Sequence, residues 1–325
     1  MSTMHMSGHP TILITWPRFD PEDAPTAGRI RAAGYEVRHA AKRGRRTPEE
    51  LIDLLPDVVG AIVSTDPFTA EVFQASPDLR VVARTGVGLD TIDLDAASEA
   101  GVAVLSTPGA NHDACADHTL ALMLGVIRRL RENDAAVRRE EWDRAGKFSG
   151  GELTRANVGL IGFGRIGQAV AKRLGGFDAT IRVYDPEISN AAPQHLVSLD
   201  ELIARSDIVS IHCPLTDATR NLIGEREFNL AKPGLILINT ARGGIVDEQA
   251  LIAAIRSGAV AGAGLDVFEV EPPDSSELLQ MENVTVSPHI AGLSERSMAT
   301  MLDQCIDGVL DNLGSLESPA SKRSK

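Results

Sequence analysis

Short runs of aliphatic and β-branched residues recur along the chain, separated by stretches whose apolar positions fall three or four apart. In the first third the runs are residues 11–15 (TILIT), 35–39 (YEVRH), 60–64 (GAIVS), 79–83 (LRVVA) and 102–105 (VAVL). Between them, 48–55 (PEELIDLL), behind a capping Thr47, and 69–74 (TAEVFQ) carry helical spacing. A second series follows at 157–161 (NVGLI), 180–184 (TIRVY), 207–212 (DIVSIH), 234–239 (GLILIN), 262–267 (GAGLDV) and 284–287 (VTVS). Strands that are apolar throughout are buried on both faces, and strands alternating with helices build a parallel sheet. The pattern predicts an α/β chain with two doubly wound parallel-sheet domains. The six strands of the second series are the number expected of a dinucleotide-binding Rossmann sheet.

One long helix is expected from about 113 to 139, with Leu120, Met123, Leu124, Ile127 and Leu130 on one face. Its second half carries Arg128, Arg129, Arg131, Arg138 and Arg139. Glu132, Asp134, Glu140 and Glu141 interleave with them, which reads as a solvated face rather than an anion site. A last helix, about 294–313, is too short for a domain and is expected to pack back on the first one. The stretches 1–9 and 315–325 read as a frayed terminus and a loose tail.

Composition narrows the class. Of 325 residues, 43% are hydrophobic and 24% charged, enough apolar material for real cores and too much for disorder. Acidic residues outnumber basic ones by 45 to 32, a formal charge of −13, which argues against nucleic-acid or anionic-membrane partners. Cys115, Cys213 and Cys305 are far apart, so neither a disulfide framework nor a metal site is expected, and a reducing cytoplasm fits. The apolar run 120–127 is far short of the ~20 residues of a spanning helix, and 1–9 does not read as a signal peptide.

The chemistry begins at Gly162-Phe163-Gly164-Arg165-Ile166-Gly167, a G-x-G-x-x-G between a strand and a helical stretch. The first glycine makes the tight turn, the second lets backbone approach a pyrophosphate, and the third permits close helix–strand packing. The pyrophosphate then meets unpaired N–H groups at a helix N-terminus. Asp185, 18 residues after Gly167, ends the next strand, where its carboxylate can bind ribose hydroxyls and repel a 2′-phosphate. The expected cofactor is therefore NAD rather than NADP, with Arg182 two or more positions too early to reverse that preference.

Three later segments suit hydride transfer. Arg242 follows a buried strand, and a guanidinium there can grip a carboxylate and polarise a carbonyl. Glu271 precedes Pro272 and Pro273 in a rigid loop, and His289 ends the strand VTVS. A histidine can give a proton to the alkoxide formed as hydride reaches a keto carbon, and a neighbouring carboxylate orients its ring. Asp266 ends another strand of the series, either beside a nicotinamide or as a helix cap, with the former preferred.

Together the segments 83–93 (ARTGVGLDTID), 106–111 (STPGAN), 159–167 (GLIGFGRIG), 238–248 (INTARGGIVDE), 264–272 (GLDVFEVEP) and 287–292 (SPHIAG) resemble the D-isomer-specific 2-hydroxyacid dehydrogenases, in the branch like phosphoglycerate dehydrogenase. The resemblance runs from about Thr11 to about Leu313. It implies an Arg–Glu–His catalytic set at Arg242, Glu271 and His289. It also implies NAD contacts at Arg165, Ile166, Asp185, Thr240, Ala241, Asp266 and Gly292, with His212, Cys213 and Pro214 along the cofactor and Thr219 nearby. The backbone amides of Gly86, Val87 and Gly88 would hold the substrate carboxylate, flanked by Ser64. The implied fold is a flavodoxin-like split substrate domain (1–106 and 290–325) around a Rossmann NAD-binding domain (107–289), through which the chain would form a homodimer.

Departures from the family's pattern bear on the substrate. Val63-Ser64 stands where phosphoglycerate dehydrogenases usually carry Arg-Ser, and Pro67 where lysine is common. Fewer cations weaken the case for a phosphorylated substrate. The regulatory serine-binding domain that some members append is not expected here, and Asp117 replaces the more usual glutamate. The expected activity is NAD-dependent interconversion of a small D-2-hydroxy acid and its 2-keto acid. The alternative is an NAD(H)-sensing binding protein of the same fold, like the corepressors that keep all three catalytic residues. Formate oxidation ranks low, because formate enzymes carry glutamine at the position of Glu271; phosphite oxidation calls for direct assay.

Overall fold

In the computed structural model, which describes residues 9–42, 44–144, 146, 149–188 and 195–316, the apolar runs pair into two all-parallel sheets. The chain divides into one unit of residues 1–111 with 295–325 and a second of 112–294. The boundaries lie five residues beyond the expected 106/107 and 289/290, which leaves Ile290 to Gly292 with the second unit.

The first unit runs β1 (Thr11–Ile14), α1 (Ala24–Ala32), β2 (Glu36–His39), α2 (Pro48–Ile52), β3 (Val58–Val63), α3 (Ala70–Gln74), β4 (Val81–Arg84), α4 (Leu94–Glu99) and β5 (Ala103–Leu105). Local chemistry starts the helices. Thr47 caps α2 in a reciprocal box, its hydroxyl accepting from the Glu50 N–H at 3.3 Å and Glu50 accepting from the Thr47 N–H at 2.9 Å. Asp93 caps α4 through the Ala96 N–H. Strand order is β2-β1-β3-β4-β5, so the winding reverses between β1 and β3.

The second unit opens with α5 (His112–Ile127) and α6 (Leu130–Arg138), then β6 (Asn157–Ile161), α7 (Arg165–Leu174), β7 (Thr180–Tyr184), β8 (His195–Leu196), α8 (Leu199–Arg205), β9 (Ile208–Ile211), α9 (Glu225–Leu230), β10 (Leu235–Asn239), α10 (Glu248–Ser257), β11 (Val260–Leu265) and β12 (Val284–Val286). The order β12-β11-β10-β9-β6-β7-β8 is that of a doubly wound dinucleotide-binding sheet, reversing between β6 and β9, with the two-residue β8 added to the six expected strands. One apolar layer joins the sheet to α5 and α7, and another joins it to α8, α9 and α10.

The final helix, α11 (Glu295–Leu316), returns to the first unit, where Cys305, Ile306, Val309 and Leu313 pack on Ile12, Ile14, Ile62, Val81 and Ala83. A Cβ on Gly60 would lie 2.9 Å from the Val309 side chain, so glycine there lets α11 approach β3. Residues 315 and 316, expected in the tail, belong to this helix; the rest of that tail and residues 1–8 lie outside the described residues.

The single helix expected over 113–139 is two. Arg129 takes a left-handed conformation (φ 50°) between α5 and α6, and the Gly151 N–H donates to the Ile127 carbonyl at 3.0 Å. Gly150 passes so near that a Cβ would sit 1.9 Å from that oxygen. The break is a tertiary event, in which a later segment replaces the next helical turn. Arg129, Arg138 and Arg139 are engaged with Glu132, Asp134 and Glu141, while Arg131 donates to the carbonyls of Met281, Glu282 and Val284. Among the described residues no helix is long and apolar enough to cross a membrane.

Candidate active site

At the reversal between β6 and β9, the glycine turn has three different reasons for its three glycines. Gly162 has φ 90°, and a Cβ on it would lie 2.6 Å from the Cys213 nitrogen. A Cβ on Gly167 would lie 2.4 Å from the Gly162 oxygen. Gly164 meets nothing within 4 Å; it is the N-cap of α7, with no side-chain cap and no acid in the first turn. The open side of Gly164 is therefore a cradle that any larger residue would fill, above a helix N-terminus suited to phosphate. Arg165 and Ile166 begin the helix, with Ile166 packed on the core behind.

Asp185 follows β7 and is tied to that turn. Its Oδ2 accepts the Phe163 N–H at 2.7 Å and its Oδ1 accepts the Glu187 N–H at 3.0 Å. A carboxylate has about four acceptor positions, so two remain for further donors. Arg182 is turned to Asn157, bonding its side-chain oxygen at 3.0 Å. His212 follows β9, its Nε2 2.9 Å from the Ser210 hydroxyl, and burial pushes its pKa down to about 4. Cys213 backs onto Gly162, and burial lifts its thiol to about 11. The Pro214 carbonyl accepts from the Thr219 hydroxyl at 2.6 Å, closing the loop on that side.

The ends of β10, β11 and β12 form one connected frame. Asn239, at 1% exposure, accepts the Ala241 N–H at 3.0 Å and donates to the Arg242 carbonyl at 2.9 Å. Thr240 lies 2.9 Å from the Thr119 hydroxyl, which itself donates to the Cys115 carbonyl. Thr240 is therefore the donor of that pair. A Cβ on Gly243 would lie 1.8 Å from the Phe268 carbonyl carbon, so the backbone next to Arg242 packs directly on the loop that carries Glu271. The Arg242 guanidinium bonds the Ala241 carbonyl at 2.8 Å. Glu271 accepts the Phe268 N–H through Oε1 at 3.2 Å and holds His289 Nδ1 through Oε2 at 2.8 Å.

His289 has φ 53°, a left-handed conformation that a side-chain-bearing residue holds only with support. The support is Asp266. Its backbone oxygen accepts the His289 N–H at 2.8 Å. Its buried carboxylate accepts from the Ser287 hydroxyl (2.5 Å) and from the N–H groups of Ile290 (2.9 Å) and Ala291 (2.8 Å). His118 on α5 completes the set, with Nε2 2.8 Å from the Ser287 oxygen. Because that hydroxyl already donates to Asp266, His118 Nε2 must carry the hydrogen. Asp266 thus holds the turn that presents His289. Neither His118 nor Ser287 stands out in the sequence, because their meeting is a 169-residue contact. Asp117, beside His118, pairs with Arg173 of α7 at 2.6 Å.

On the first unit, Ser64 and the Gly86-Val87-Gly88 loop meet at the carboxyl ends of β3 and β4. Arg84 Nε donates to the Ser64 carbonyl at 3.2 Å, and its guanidinium fills the place a Cβ on Gly86 would take, 1.7 Å away. Gly86 has φ 147°, and its N–H donates to the Thr107 hydroxyl at 2.9 Å. Among the described residues no group of three or more His, Cys, Asp or Glu could hold a metal ion, and the three cysteines are free.

Sheet order, the glycine turn at the reversal and a carboxylate at the end of the next strand together define a dinucleotide-binding α/β protein. Residues 120–291 match the family model described as "D-isomer specific 2-hydroxyacid dehydrogenase, NAD binding domain", and the chain belongs to that family. The cofactor of that domain is NAD. It is 44% identical over 246 residues to the D-3-phosphoglycerate dehydrogenase of Mycobacterium leprae, covering 74% of this chain and 46% of that one. It is 39% identical over 271 residues to the hydroxypyruvate reductase of Thermotoga maritima, covering 82% and 88%. The crystal structure of TT0316 protein from Thermus thermophilus superposes with a TM-score of 0.88 at 36% identity, covering 94% and 97%. The chain spans about half the length of the phosphoglycerate dehydrogenases it matches.

Proposed function

We propose that the protein is an NAD-dependent dehydrogenase interconverting a small D-2-hydroxy acid and its 2-keto acid. The observation that carries this reading is the His289–Glu271 pair at 2.8 Å, built on the same frame as Arg242 and one sheet edge from the glycine turn. Gly162, Gly164, Arg165, Ile166 and Gly167 take the pyrophosphate, and Asp185 the ribose. His212, Cys213, Pro214 and Thr219 flank the cofactor, with Thr240, Ala241, Asp266 and Gly292 toward its reactive end. When bound, NAD supplies the hydride acceptor for oxidation and, reduced, the donor for reduction.

Arg242 grips the substrate carboxylate and draws electron density toward the carbonyl oxygen. Glu271 holds Nδ1, so that Nε2 of His289 faces the reacting oxygen. In reduction, His289 gives a proton from Nε2 to the oxygen as the carbon gains hydride; in oxidation it takes that proton back. Atoms balance as keto acid, NADH and one proton against hydroxy acid and NAD+.

On the first unit, Ser64, Gly86, Val87 and Gly88 are the residues proposed to bind substrate. We infer a homodimer through the NAD-binding domain: Leu130 and Val137 on α6 and Trp142 beyond it are exposed apolar residues, with Trp142 at 78%. A cytoplasmic setting accords with three free cysteines. The test is NADH oxidation with a panel of hydroxypyruvate, glyoxylate and 3-phosphohydroxypyruvate, repeated with Arg242→Ala. Turnover with at least one acid, falling by ~10²–10⁴ in the variant, supports the reading. NADH binding without turnover of any acid contradicts it and favours a sensor.

A further inference from the structure

The first unit places a buried charge cluster where its winding reverses, at the carboxyl ends of β1 and β3. Sheets of this order bind ligands at that reversal, and here it is filled by the chain itself. Arg46, from the segment before α2, pairs through Nε with Asp66 Oδ1 at 3.0 Å, both side chains only 9% exposed. Its Nη2 bonds the Ala40 carbonyl at 2.6 Å. Asp66 Oδ2 accepts the Thr15 hydroxyl at 2.6 Å and faces the Ser64 N–H at 3.4 Å.

Two consequences bear on an acid held beside Ser64. The backbone N–H of Ser64, otherwise free to hold an anion, is turned to Asp66. Arg46, which could have answered a second negative charge, presents no net charge with Asp66 against it. On its other side Ser64 is held by Arg84, whose Nε donates to the Ser64 carbonyl at 3.2 Å. A phosphate dianion loses far more hydration than a hydroxyl on entering such an edge, and it needs fixed cations or N–H donors in return.

We propose that Asp66 is a specificity-determining residue: by neutralising Arg46 and occupying the Ser64 amide, it selects a substrate whose distal group is uncharged and rejects a phosphorylated one. The inference rests on the dehydrogenase reading above and deepens it to a substrate class, the small unphosphorylated 2-keto acids. Selection here works by withholding charge complementarity from the competitor.

The experiment compares kcat/KM for hydroxypyruvate and 3-phosphohydroxypyruvate, with saturating NADH, in the wild type and Asp66→Asn. The wild type is expected to favour hydroxypyruvate by about tenfold or more, and the variant to shift the ratio toward the phosphorylated acid by about tenfold. A wild type that favours the phosphorylated acid, or an unchanged ratio in the variant, overturns the proposal. Thermal melts give a second readout: inorganic phosphate should raise the melting temperature of Asp66→Asn more than that of the wild type, and equal shifts count against the proposal. Should the variant not fold, the wild type decides alone, with glycerate expected to inhibit more tightly than 3-phosphoglycerate and the reverse order contradicting. If no acid is turned over, the dehydrogenase reading falls; melting shifts with glycerate against 3-phosphoglycerate then decide this inference separately.

Discussion

The two parallel sheets reverse their winding in the same way, yet their reversal points are built oppositely. In the second unit the point between β6 and β9 is left open: Gly164 meets nothing within 4 Å, and α7 starts without a side-chain cap. In the first unit the point between β1 and β3 is closed by Arg46, Asp66 and Thr15. One architecture thus serves two tasks. An open reversal with bare N–H groups suits a large anionic ligand, while the filled one has its charge already balanced.

The largest effect should come from the acid–base pair that the open sheet carries. His289→Gln is expected to lower kcat by ~10²–10⁴ while NADH still binds, because only proton transfer is removed; stopped-flow turnover beside NADH fluorescence titration separates the two. A wild-type kcat in His289→Gln, with deuterated NADH slowing the rate, would remove His289 from that role.

Two glycine variants probe the openness itself. Gly164→Ala should fold normally but weaken NAD binding by ~10-fold or more, since its methyl enters the cradle. Gly167→Ala should instead lower stability by ~1–3 kcal/mol, because its methyl meets the Gly162 oxygen at 2.4 Å. Calorimetry and cofactor titration on both variants tell a cradle from a packing contact. Asp185→Ala should narrow the preference for NAD over NADP by ~10-fold, read as the ratio of kcat/KM values.

A last effect is on acid stability. Burial holds His212 at about 4, below its ordinary 6.5, so the folded form keeps it neutral. Unfolding then takes up a proton below pH 6.5, and stability falls as pH drops toward about 4, by at most ~1.4 kcal/mol per pH unit. Above 6.5 the contribution is complete. Urea titrations across that window should show a shallower slope for His212→Gln.

What could be read from the sequence was what is local. The glycine turn, the Thr47 cap and the apolar strands each depend on a few adjacent residues, and Asp185 lies one strand away. The features that escaped depend on distant partners. The break at Arg129 is made by Gly150 and Gly151, the turn under His289 by Asp266, Ser287 and His118, and the closure of the first sheet by residues 15, 46 and 66. Charge and hydroxyl residues at those positions were visible as letters, but nothing in their spacing said they would meet. Glu271 and His289, 18 residues apart, were singled out because each ends a strand-linked segment of one series, and the fold brings them to 2.8 Å.

The most direct test is single-turnover oxidation of NADH by a small 2-keto acid, followed in the wild type, His289→Gln and Glu271→Gln. The account predicts a fast transient in the wild type, its near-disappearance in His289→Gln, and an intermediate rate in Glu271→Gln. Wild-type-like transients in both variants would contradict it.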